Sequence, residues 1–158
     1  MIREKIKLYV IELIRLGILL ITFYMLESFL TSLSFISELT IFSNKILFTE
    51  FLAFLFLSLS CYIIYEFSVR TRNIVNEMFP IIPDAGLIHC FIIYLIVIVL
   101  SYFAGIGIFR KVVEEDLWWS YNLVFIGFLI YYSAKIGLVV YKNSHTISSN
   151  IFETFKKF

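Results

Sequence analysis

The chain is predicted to be an all-α polytopic membrane protein, with four transmembrane helices, short loops and both termini in the cytoplasm. Three observations predict it. Four apolar stretches, 13–36, 46–68, 85–109 and 117–141, each exceed the ~20 residues that a helix needs to cross the hydrocarbon core. The 158 residues are 61% hydrophobic, with a mean hydropathy of +0.93, above the roughly 45–50% apolar content of soluble domains. The polar residues lie between the stretches rather than in a stripe through them. That pattern excludes an amphipathic soluble bundle and the alternation of an outer-membrane strand.

The first helix is expected to begin before the membrane. Ile6, Tyr9, Val10 and Leu13 are spaced by charges over 2–12, which suits an interfacial turn running into the span. Its basic start mimics a signal peptide. The apolar run that follows is too long for an h-region and lacks a small-residue cleavage pattern, so a retained helix is expected. No lipidation signal is expected either. Residues 37–45 make a short outer loop, with Asn44 as the start signal of the second helix.

Residues 69–84 form the longest connection, which the pattern allows to continue the second helix by a turn or more. Pro80 and Pro83 then end it, because each lacks a donor and disfavours helix at the residue before. Asp84 is the expected N-cap of the third helix. Asp116 stands near the start of the fourth, and Trp118, Trp119 and Tyr121 mark its headgroup level. The tail, 142–158, carries Phe152, Phe155 and Phe158 among charges and reads as either a short amphipathic helix on the inner leaflet or disorder.

Charge asymmetry orients the four spans. Arg3, Lys5, Lys7, Arg15, Arg70, Arg72, Lys142, Lys156 and Lys157 fall on one side, and Lys45, Arg110 and Lys111 on the other. The positive-inside rule makes the first side cytoplasmic. The net charge of +1 gives no argument for nucleic-acid binding.

Ionisable residues inside spans are functional candidates by default. Glu27 stands near the middle of the first span, about nine residues from Ser37. It reads as a proton or cation site, as a contact to a partner helix, or as a protonated carboxyl bonded to a neighbouring hydroxyl. Lys135 in the fourth span either snorkels or pairs with Glu66 at the inner end of the second. Glu50 and Glu66 are sixteen residues apart, ~160° around a helix, so they cannot line one straight path. Glu12 and Arg15 can pair locally. His89 lacks a second intramembrane histidine, so a bonded structural role fits better than a haem ligand. Cys61 and Cys90 lack any CxxC spacing and read as buried small hydrophobes. Ser101–Gly105 and Ser133–Gly137 offer close helix contacts.

No HExxH, phosphate loop or supported nucleophile set is present, so neither enzyme activity nor a bound cofactor or metal is expected. The favoured reading is a small non-catalytic inner-membrane protein. Its partners would be the lipid bilayer and either another membrane protein or further copies of itself. It would serve as an accessory subunit, or as an immunity- or exclusion-type protector by analogy of architecture alone. The docking segment would be the inner connection with Arg70, Arg72, Glu77, Pro80 and Pro83. The alternative is a small oligomeric channel, or a proton- or cation-handling subunit, using Glu27 and Lys135.

Overall fold

A computed structural model describes residues 2–41 and 46–155. The described chain is almost entirely helical. Helix α1 runs over Ile2–Thr31, α2 is a single turn at Ser34–Ser37, α3 spans Phe48–Met78, α4 spans Ala85–Val112 and α5 spans Trp118–Phe155. A two-residue hairpin pairs Thr40–Ile41 (β1) with Ile46–Leu47 (β2), and a 3₁₀ turn at Glu115–Leu117 leads into α5. The helix-start signal expected at Asn44 lies outside the described residues. Among the described residues, three helical segments are long and apolar enough to cross a membrane: Phe48–Met78, Ala85–Val112 and Glu115–Ser149. The chain is a multi-pass membrane protein.

The long helices pack mainly in chain order, α1 on α3, α3 on α4 and α4 on α5. Each neighbouring pair is antiparallel. Tyr9 meets Phe67 and Phe23 meets Phe56 between α1 and α3. Tyr65 stacks on Tyr94 between α3 and α4, and both Phe91 and Tyr94 meet Tyr132 between α4 and α5. Burial concentrates on α3 and α4, at Phe56, Cys61, Phe67, Ser68, Thr71, Cys90 and Ile93 among others. Nothing on α5 is buried from Trp118 to Ser149.

Several boundaries differ from expectation. The first helix stops at Thr31 rather than running to residue 36. At the end of α1, Thr31 Oγ1 donates to the Glu27 carbonyl at 2.9 Å and Ser32 Oγ donates to the Phe29 carbonyl at 2.7 Å. Hydroxyl groups that bond back in this way compete with the helical ladder. The second helix does continue inward, to Met78, so most of the expected inner loop is helix and only residues 79–84 connect. Helix α5 passes residue 141 without a break and absorbs the tail as far as Phe155.

The expected cap at Asp84 is built differently. Asp84 takes a left-handed conformation (φ 58°) and its side chain makes no cap bond, a backbone region that aspartate tolerates. Its carboxylate instead accepts from Asn143 Nδ2 at 3.1 Å. The free N–H of Gly86 at the start of α4 donates to Asn76 Oδ1, on α3, at 2.6 Å. An orphan donor of one helix is thus satisfied by its neighbour. The start of α3 is marked by Glu50, whose side chain accepts the Leu47 N–H at 3.2 Å.

Candidate functional site

The α3–α4 seam has one end at the 79–84 connection, termed inner for position along the hairpin alone, and the opposite end, termed outer; its inner half is polar and tightly closed. Ser68 and Thr71 have no solvent exposure. Thr71 Oγ1 lies 2.7 Å from the Phe67 carbonyl and 3.0 Å from His89 Nε2. A hydroxyl has one proton, and the carbonyl takes it. His89 must then donate, which assigns the Nε2–H tautomer. Cys90 Sγ donates to the Ser68 carbonyl at 3.3 Å, and Ser68 Oγ to the Tyr65 carbonyl at 2.7 Å. Tyr9 of α1 sets its ring edge-on to both Phe67 and His89. The residues that look most chemical in the sequence are bonded across the seam, and they hold three helices in register.

The two thiols are free and buried. Cys61 faces the Val97 carbonyl at 4.0 Å, whereas Cys90 faces Ser68. Ser68 is seven residues from Cys61 along α3, about 10 Å of helix, so the thiols occupy different levels of the same seam.

Of the expected site residues, Glu66 and Lys135 do not meet. Glu66 forms an ion pair with Arg70 Nε at 3.7 Å and accepts from Tyr62 Oη at 3.4 Å. Lys135 is exposed on α5, with its ammonium 5.4 Å from the Tyr131 ring centroid. A cation over an aromatic face is held weakly when solvated. Arg70, Arg72 and Glu77 project from the inner end of α3, and Pro80 and Pro83 lie in the connection. Glu77 is tied to Lys5 of α1, and Glu12 to Arg15 at 2.6 Å.

The outer half is arranged differently. Thr31 ends α1, so Glu27 stands one turn from a helix end. It lines a groove of about 350 Å³ between α1, α3 and α4, together with Glu50, Ala53, Leu57, Phe103 and Gly107. Lys111, in the last turn of α4, reaches both oxygens of Glu50 at 2.5 and 2.6 Å. Glu27 has no side-chain partner among the described residues. The sequence did not reveal the Glu50–Lys111 pair; the signal was a carboxylate in the first turn of one helix and an ammonium in the last turn of its antiparallel neighbour.

A second groove, of about 510 Å³, lies between α3, α4 and α5 and is lined by Ser58, Ser101, Gly105 and Tyr121 among others. Gly105 and Gly107 are ~200° apart on α4, so the two grooves flank opposite sides of that helix and share Phe54 and Ala104. Gly105 gives the α4–α5 contact its closeness: a Cβ there would meet the Tyr121 hydroxyl. That hydroxyl donates to the Tyr102 carbonyl at 2.8 Å, and Tyr102 Oη donates to Asn122 Oδ1 at 3.0 Å. The Ser101–Gly105 pair therefore serves an internal contact. Gly137, of the Ser133–Gly137 pair, has nothing within 4 Å of the position its Cβ would take. No protein family, curated protein or solved structure matches the chain.

Proposed function

We propose that this chain is a non-catalytic inner-membrane protein that works by binding another membrane protein, as an accessory subunit or a protector. In this reading α1 is a fourth crossing and both termini are cytoplasmic. The observation that carries it is α5. From Trp118 to Ser149 this helix is apolar enough to span, yet none of its side chains is buried in the chain's own core. Lipid tails are as apolar as leucine, so helix association in a bilayer depends on packing and polar contacts rather than on the hydrophobic effect. A helix that packs loosely on one neighbour keeps most of its surface for others.

The polar groups support the same reading. His89, Thr71, Cys90 and Ser68 are bonded to one another or to backbone, which supports a structural role for each. Glu27 and Lys135, the two groups a transport path would need, stand on the two helices at the ends of the packing order.

Photocrosslinking tests the proposal. A photoreactive residue at Ile130 or Leu138 of α5, in the full-length chain in its native membrane, should yield adducts with one defined protein that recovers this chain in the reciprocal capture. Adducts with lipid alone, at both positions and at Arg72, would overturn it. Purified protein in liposomes should carry no ion flux; flux lost on Glu27→Gln would establish transport instead.

A further inference from the structure

The groove at the outer ends of α1, α3 and α4 combines three features. Its apolar lining includes three small residues, Ala53, Ala104 and Gly107, beside larger ones such as Leu57 and Phe103, and nothing stands within 4 Å of the position a Gly107 Cβ would take. Small residues let a further helix backbone approach closely. Its charge is unbalanced: Glu27 and Glu50 both line it, while Lys111 is held on the two oxygens of Glu50. Its position is near a helix end, with Glu27 one turn before the end of α1 at Thr31.

We propose that this groove docks a transmembrane helix of a partner protein that carries a lysine or arginine at the level of Glu27. The inference rests on the partner-binding reading above and names its surface. An acyl chain would fill the volume and leave the Glu27 carboxylate without a cation, in a place where carboxylates are costly unless paired. A helix with a basic residue one turn from its outer end meets both needs. Its backbone lies over Gly107, and its long side chain reaches Glu27 while the charge stays near the interface.

The test uses the full-length chain in phosphatidylcholine bilayers with two synthetic Leu/Ala transmembrane peptides. One carries a single Lys a turn from its outer end and the other has Leu there. Energy transfer between labels reports association. The Lys peptide should bind about three- to tenfold more tightly than the Leu peptide, the range of interhelical polar contacts in bilayers. Glu27→Gln should abolish that preference, and Glu27→Lys should transfer it to a Glu-bearing peptide. Gly107→Leu should weaken both peptides. Equal binding of the two, or a preference that survives Glu27→Gln, would overturn the proposal. So would a preference that vanishes when phosphatidylethanolamine is added, because the groove would then take a lipid ammonium. If the peptides fail while crosslinks from α5 still identify a partner, the docking site is wrong and the partner-binding reading stands. If the Lys peptide binds but crosslinking finds lipid alone, the reverse holds.

Discussion

The two halves of the α3–α4 hairpin are built on opposite principles. The inner half is closed by small and polar groups in contact: Gly86 under the Arg72 carbonyl, Asn76 on the Gly86 N–H, His89 on Thr71, Cys90 on Ser68. The outer half is joined at its mouth by one ion pair, Glu50–Lys111, and opens into grooves on both sides of α4. In a bilayer there is no solvent-driven force to close a gap between helices, so closure must be built from close packing and hydrogen bonds. The inner half has those; in the outer half Tyr121 of α5 covers Gly105, while Gly107 is left uncovered. In the proposed function the first half is the structural anchor and the second the surface for a partner.

The largest effect should come from the inner seam. A Cβ at Gly86 would collide with the backbone carbonyl of Arg72, which no rotamer change can relieve. Gly86→Ala must push α3 and α4 apart and strain the Asn76 bond. A cost of about 3 kcal/mol is expected, the upper range for overpacking a well-packed contact. Unfolding in mixed detergent micelles, followed by circular dichroism, measures it. A loss below about 1 kcal/mol would mean that the seam is looser than described.

Thr71→Val comes next. It keeps the shape and removes the acceptor for His89 Nε2–H, leaving a donor inside the seam unbonded. The cost should be about 1–2 kcal/mol. Thr71→Ser, which keeps the hydroxyl, should recover most of it in the same unfolding assay. If Val and Ser behave alike, the histidine bond contributes nothing and the seam is held by packing.

How much of this contrast is legible in the sequence follows from what each half depends on. The apolar blocks declared the helices, because length and composition alone decide whether a segment can sit in lipid. Pro80 and Pro83 correctly placed the end of α3, since a missing donor acts locally. The stop after Thr31 was missed because apolar Leu33, Phe35 and Ile36 continue the hydrophobic run past it. The pairing of Glu66 with Arg70 rather than Lys135 depends on which faces α3 and α5 turn, and α5 packs on α4. The cap on Gly86 comes from Asn76, ten residues upstream on another helix, and no local rule points there. Gly86 and Gly107 look alike in the sequence; only the neighbour's backbone distinguishes them.

The outer ion pair should matter less. The Glu50 and Lys111 side chains are 35% and 41% exposed, and a pair that open contributes about 0.2–1 kcal/mol. Lys111→Met should destabilise by that amount at low salt, with the difference shrinking at high ionic strength as screening removes it. A salt-independent loss would show that the lysine stem packs on the groove rather than that its charge binds Glu50.

Gly107→Ala should have the smallest effect on the isolated chain, and of the opposite sign to Gly86→Ala on the same helix. Nothing stands near its missing Cβ, so the substitution meets no clash. Alanine is up to about 1 kcal/mol more favourable than glycine inside a helix, and part of that gain should appear as a slightly raised unfolding midpoint. A glycine that costs stability and relieves no internal contact is explained if its smallness is used by something outside the chain. The same variant should then be the more stable one in detergent and the weaker one in association with the Lys-bearing peptide, since an added methyl raises the floor of the groove. If Gly107→Ala lowers stability, the groove is closed in the free protein and the outer half resembles the inner one after all.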